Sequence, residues 1–128
     1  MKKAVHLQIK PVSTNKLHFT NKRGGRTMTN EYVVFKWKVF AMLPDTKKVY
    51  VPTEGDLVIH YEFGITDNFD ASNCVKGIED TLADKYKFND KQVRFHTVMK
   101  TKVKRGQEYI RFRIVRYDHD AWYSLTEV

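Results

Sequence analysis

The chain predicts an α+β domain: a small mixed or antiparallel sheet with two helices packed on one face. Residues 5–9, 57–63, 92–103 and 109–117 alternate apolar and polar side chains at period two, as half-buried strands do. Residues 30–40 and 73–83 instead repeat their apolar side chains at helical spacing. With 128 residues, 41% of them hydrophobic, the chain has the length of one domain and enough apolar content for a single core. Residues 1–128 are therefore read as one domain.

The elements follow in order. Val5-His6-Leu7-Gln8-Ile9 is a strand with one buried face, ended by Pro11. From 12 to 30 the chain is polar, with Lys16, Lys22, Arg23 and Arg26 around Gly24-Gly25, and is expected to form a long, mobile, basic loop able to touch phosphate. Thr29 or Asn30 caps a helix in which Val33, Trp37 and Phe40 recur, flanked by Val34 and Ala41, and that face is expected to pack on the sheet. Pro44 and Pro52 punctuate a turn or hairpin. Leu57, Ile59, Tyr61 and Phe63 then alternate with Val58, His60 and Glu62 in a strand.

In the second helix, Cys74, Val75, Ile78 and Leu82 form an apolar stripe, Asn73, Lys76 and Asp80 share another face, and Gly77 weakens it locally. The next strand carries Val93, Phe95, Thr97 and Met99 on one side and Arg94, His96, Lys100 and Lys102 on the other. Lys104-Arg105-Gly106-Gln107 is expected to turn it into a neighbouring last strand, with Ile110, Phe112 and Ile114 opposite Arg111 and Arg113.

Charge points to a polyanionic partner. Lysine and arginine number 23 against 15 acidic residues, a net charge of +8. Arg94, Lys100, Lys102, Arg111 and Arg113 on two neighbouring strands are expected to form one patch that contacts phosphates. The lone Cys74 cannot form an internal disulfide, and neither a leader nor a run of about 18 apolar residues is present, so the expected setting is a reducing cytoplasm without a membrane. His6, His18, His60, His96 and His119 show no zinc-like spacing. Trp37 is assigned to the core, and Trp122 and Tyr123 to a cover for a sheet edge or a partner chain.

Two acidic stretches bracket the second helix: Asp70-Ala71-Ser72-Asn73-Cys74-Val75-Lys76 at its start and Asn89-Asp90-Lys91-Gln92-Val93 after its end. Carboxylates in a basic chain suit a hard dication that activates water and neutralises charge on a phosphate. Taken singly, Asp70, Ser72 and Asn73 are also good helix caps, Asp90 a turn residue, and Lys76 with Asp80 an exposed ion pair.

Together with Pro11-Val12-Ser13-Thr14-Asn15, these stretches resemble the RusA family of Holliday junction resolvases in order and spacing, over about residues 9–115. The resemblance implies a homodimeric endonuclease, dependent on Mg²⁺ with Mn²⁺ as a substitute, that binds four-way DNA junctions and other branched DNA and nicks two opposing strands. Members occur in bacteria and their phages, which implies the cytoplasm of such cells.

By position, Asp70 and Asp90 match two metal-binding aspartates of the family and Lys76 its active-site lysine, while Asn73 and Asp80 match recurrent positions. The family's Asp-x-Asp-Asn has Ser72 in place of its second aspartate here, and its Asp-Asp pair is Asn89-Asp90. Asp70 and Asp90 are thus expected to hold one ion, with Ser72 a neutral or water-bridged ligand, and Lys76 to stabilise charge on the phosphate. Asn15, Lys16, Lys22, Arg23, Arg26, Asn73, Arg94, Lys100 and Lys102 are the expected DNA contacts.

A helix ending near Ala83 is about 16 Å long, and residues 85–89 stretch at most roughly 17 Å. The two carboxylates therefore meet if the loop runs back along the helix or if two chains supply one each. A junction-binding module that has lost efficient catalysis through Ser72 is the first alternative, and a small basic RNA-binding protein that resembles the family by accident is the second.

Overall fold

The computed structural model describes residues 4–119, with 50 and 53 excepted. Trp122 and Tyr123 lie outside the described residues. The elements are β1 (Val5–Leu7), β2 (His18–Thr20), β3 (Arg26–Met28), α1 (Asn30–Met42), β4 (Leu57–Ile65), α2 (Val75–Tyr86), β5 (Val93–Lys102) and β6 (Tyr109–Arg116). Short 3₁₀ turns at Thr14–Lys16, Ala71–Cys74 and Asp90–Gln92 precede β2, α2 and β5.

Four strands form a mixed sheet in the order β1-β6-β4-β5. β6 is antiparallel to both β1 and β4, whereas β4 and β5 run parallel. A parallel pair needs a crossover, and α2 supplies it. The order corrects one expectation: β5 and β6 do not form a hairpin, because β4 lies between them. The turn at 104–107 does form, with Gln107 N–H donating to the Lys104 carbonyl at 3.0 Å. It spans the width of β4 because β4, buried along nearly its whole length, holds the apolar centre of the sheet.

Leu57, Ile59, Tyr61, Phe63 and Ile65 of β4 face the helices, in register with Ile114, Phe112 and Ile110 of β6. Tyr32, Phe35 and Val39 from α1 and Ile78, Leu82 and Tyr86 from α2 close the same core. Both helices therefore cover one sheet face, as expected. Among the described residues no helix is long and apolar enough to cross a membrane.

Two apolar assignments are corrected. On α1 the buried face is Tyr32, Phe35 and Val39, continued by Leu43, while Trp37 is 73% exposed and Val34 and Phe40 are 44% exposed. Apolar side chains surround this helix, so two stripes satisfy helical spacing equally, and sheet contact selects one of them. On β5 a register shift pairs Leu57 with Val93 but Val58 with Phe95. The extra residue, Arg94, breaks the period of two, so Val93 packs against the core while Phe95 sits on the opposite side.

The face of the sheet away from the helices carries its own polar network. Glu62 accepts hydrogen bonds from Thr101 Oγ1 at 2.6 Å, Tyr109 Oη at 2.5 Å and Arg111 at 3.1 Å. The first two bonds hold its carboxyl below the usual range. Tyr109 lies flat on Gly64, where a Cβ would stand 2.3 Å from ring carbons, so the strand needs glycine there.

Candidate functional site

The stretches 11–15 and 70–76 fold against each other. Ser13 caps the turn Thr14–Lys16, its Oγ accepting from Asn15 N–H at 3.3 Å. Thr14 Oγ1 donates to the Asn73 carbonyl at 2.9 Å, tying this turn to the one that precedes α2. Below that contact, Gly77 lets α2 approach the chain closely: a Cβ there would stand 3.3 Å from Leu17 and 3.6 Å from the Val12 carbonyl oxygen. Gly77 is the price of close packing in a helix it would otherwise weaken.

Asp70 caps the turn Ala71–Cys74. Its Oδ1 accepts from Ser72 N–H at 3.0 Å and from Ser72 Oγ at 2.7 Å. Both bonds favour the carboxylate, and with Lys100 they hold its pKa below the ordinary value. Neither bond uses Oδ2. Ser72 thus supports Asp70 and adds no charge. Cys74 is buried beside them, and burial together with Asp70 pushes its thiol up to about 12, so it stays protonated at neutral pH.

Lys76 is exposed in the first turn of α2 and makes none of the ion pairs formed among the described residues. The expected pair with Asp80 is not formed, because Asp80 accepts from Tyr32 Oη at 3.0 Å. That bond links the two helices.

Asp90 opens the turn that leads into β5, inside a capping box in which Asn89 accepts from Lys91 N–H and Gln92 accepts from Asn89 N–H, each at 2.9 Å. Its charge acts on Glu79, whereas Asp70 sits beside Lys100. The strand from Val93 to Lys100 covers about 23 Å, so the two aspartates lie toward opposite ends of β5. Among the described residues no group of three or more His, Cys, Asp and Glu side chains comes together in a way that could hold a metal.

The expected DNA contacts divide in the same way. The stretch 17–29 is a two-stranded hairpin, which corrects the mobile loop. His18, Phe19 and Thr20 pair with Met28, Thr27 and Arg26. Asn21 orders the tip, with Oδ1 accepting from Arg23 N–H at 2.9 Å and Gly25 N–H at 3.0 Å while Gly24 takes the left-handed turn. Lys16, Lys22, Arg23 and Arg26 are exposed along it.

The strand cations are engaged internally. Arg94 pairs with Asp56 at 2.9 Å, Lys102 pairs with Asp67 at 2.7 Å, and Lys100 donates to the Phe69 carbonyl at 2.8 Å and the Asp67 carbonyl at 3.2 Å. Arg111 and Arg113 lie on the sheet face away from the helices, across from Glu62 and His60, whereas Lys100 and Lys102 align with Phe63 and Ile65 on the helix-covered face. The single patch expected on neighbouring strands is therefore split between two faces.

Sequence reading missed Glu79. Its Oε1 accepts from Tyr61 Oη at 2.8 Å and lies 2.9 Å from His96 Nδ1, with its side chain 14% exposed. Burial raises its pKa, against the opposing pull of Tyr61 and His96. The available signal was its place next to Ile78, on the edge of the helix that meets β4 and β5.

Comparison with protein-family models and with curated proteins finds no match for this chain.

Proposed function

We propose that the chain is a structure-specific endodeoxyribonuclease of RusA type, acting as a homodimer with Mg²⁺ on four-way junctions and other branched DNA. The observation that carries this reading is the docking of the Ser13-Thr14-Asn15 turn on the Asp70–Lys76 segment through the Thr14–Asn73 bond, 59 residues apart in sequence. Two of the three stretches that carry the resemblance thus meet at one exposed end of α2. The basic hairpin leaves the first of them directly.

The donor set fits a hard dication that keeps most of its waters: an ionised exposed carboxylate, with a hydroxyl beside it. Asp70 and Ser72 would hold the ion from one chain and Asp90 from the other, since Asp90 opens the turn before β5 while Asp70 lies near Lys100 toward that strand's other end. Such an ion supplies an activated water and neutralises charge on the phosphate. Asp70 is ionised at neutral pH as any exposed aspartate is, and the Ser72 hydrogen bonds favour that form further. Lys76 stabilises charge developing on the scissile phosphate, a term worth a few kcal/mol of barrier. Exposed cations of the hairpin neutralise flanking phosphates.

A labelled four-way junction incubated with Mg²⁺ tests the reading. Wild-type protein is expected to nick it, and Asp70→Asn to bind it without nicking. Binding without nicking by the wild type, in Mn²⁺ as well, would support a junction-binding module instead. The Ser72 side chain and the separation of Asp70 from Asp90 favour that second reading.

A further inference from the structure

The hairpin β2–β3 carries a large apolar side chain that the fold does not use. Phe19 is 52% exposed in the middle of β2, although burying a phenylalanine is worth about 1.5–3 kcal/mol. The hairpin itself is well anchored. Leu17 at its root is fully buried, Thr29 N–H donates to the Leu17 carbonyl at 3.0 Å, and Thr29 caps α1 through Tyr32 N–H at 3.1 Å. With the tip ordered by Asn21, this ribbon presents Phe19 on a rigid support.

Charge along this segment selects its partner. No Asp or Glu occurs from Val12 to Asn30, whereas Lys16, Lys22, Arg23 and Arg26 all lie in that stretch. An exposed aromatic ring on a ribbon whose cations form no ion pair among the described residues matches nucleic acid, in which phosphates neutralise the cations and a base offers a flat π-face to stack on. In intact duplex that π-face is already covered by neighbouring base pairs. At a branch point it is open.

We propose that Phe19 is a specificity-determining residue whose ring stacks on an unstacked base at a DNA branch, so that the hairpin distinguishes junction from duplex. This rests on the branched-DNA reading above and adds to it the side chain that senses the branch.

The test measures binding, without divalent cation, of a four-way junction and of a duplex of the same sequence, with 2-aminopurine at the branch. Phe19→Ala is expected to weaken junction binding about 5- to 100-fold and to leave duplex binding within about twofold. The 2-aminopurine signal at the branch should change on binding wild type and lose that response with Phe19→Ala, while Phe19→Trp restores both selectivity and signal. Equal losses on junction and duplex, or no loss on either, would overturn the inference while leaving branched-DNA binding intact. Wild-type protein that binds neither DNA but binds anionic lipid vesicles would overturn the underlying reading itself. Matching thermal melts of the three proteins show that folding is not the cause.

Discussion

The hairpin β2–β3 and the strand β5 are equally basic in sequence but differ in what their cations do. On β5, Arg94 and Lys102 each meet a carboxylate, and Lys100 straps down two carbonyls of the loop before Asp70. On the hairpin, Lys22 and Arg23 are exposed at the tip, and Arg26 meets His18 at 3.4 Å and no carboxylate among the described residues. A cation facing a carboxylate forms a nearly neutral pair with it and so adds less to the field that draws a phosphate. Net charge sets the field around the molecule, while pairing decides which side chains add to it at a given surface.

The largest consequence is in DNA affinity. Replacing Lys22, Arg23 and Arg26 together by alanine is expected to weaken junction binding on the order of 100-fold at 0.15 M salt and to reduce the slope of log K against log salt by about 3. The matching triple change at Arg94, Lys100 and Lys102 should move that slope by less than about 1. A salt titration of the two variants checks both, and equal slopes would erase the contrast.

Stability should respond the other way. Lys100→Met removes both bonds to the 67–69 loop and is expected to cost about 1 kcal/mol in urea unfolding, with the hairpin triple neutral. Lys102→Ala breaks an ion pair whose partners are 71% and 63% exposed, so its cost should stay below about 0.5 kcal/mol.

Glu79 beside His96 sharpens the contrast through pH. Its pKa is raised in the fold, so the folded state binds the proton more tightly than the unfolded chain. The stabilisation is complete below the unfolded value of about 4.3 and is lost as pH rises through the folded value. Unfolding of Glu79→Gln, followed across acidic pH, is expected to lack that decline.

Much of the architecture is legible from residues alone, because Leu57, Ile59, Tyr61 and Phe63 alternate toward the helices and Ile78 and Leu82 mark the inner side of α2. Trp37 shows where such reasoning fails: a helix apolar all round offers two faces, and only the sheet chooses between them. Arg94 shows a second failure, since one extra residue reverses the inside and outside of a strand without leaving a local signal. Strand order failed for a topological reason. A four-residue turn after β5 looks like a hairpin, yet α2 has already placed β4 beside β5 and left its other edge for β6.

At the candidate site, capping chemistry at Asp70 was legible and correctly located. That Thr14 would dock on Asn73, or that Asp90 and Asp70 would lie toward opposite ends of β5, depends on packing between distant segments.

The proposal that two chains complete one ion site is tested most directly by mixing variants. Asp70→Asn and Asp90→Asn proteins, each expected to nick a four-way junction on the order of 100-fold or more slowly than wild type, are combined in equal amounts and allowed to exchange chains. One of the two sites in each mixed dimer then keeps both aspartates. The mixture should recover about a quarter of the wild-type single-strand nicking rate. A mixture as inactive as either variant alone, with mixed dimers present, would contradict the account.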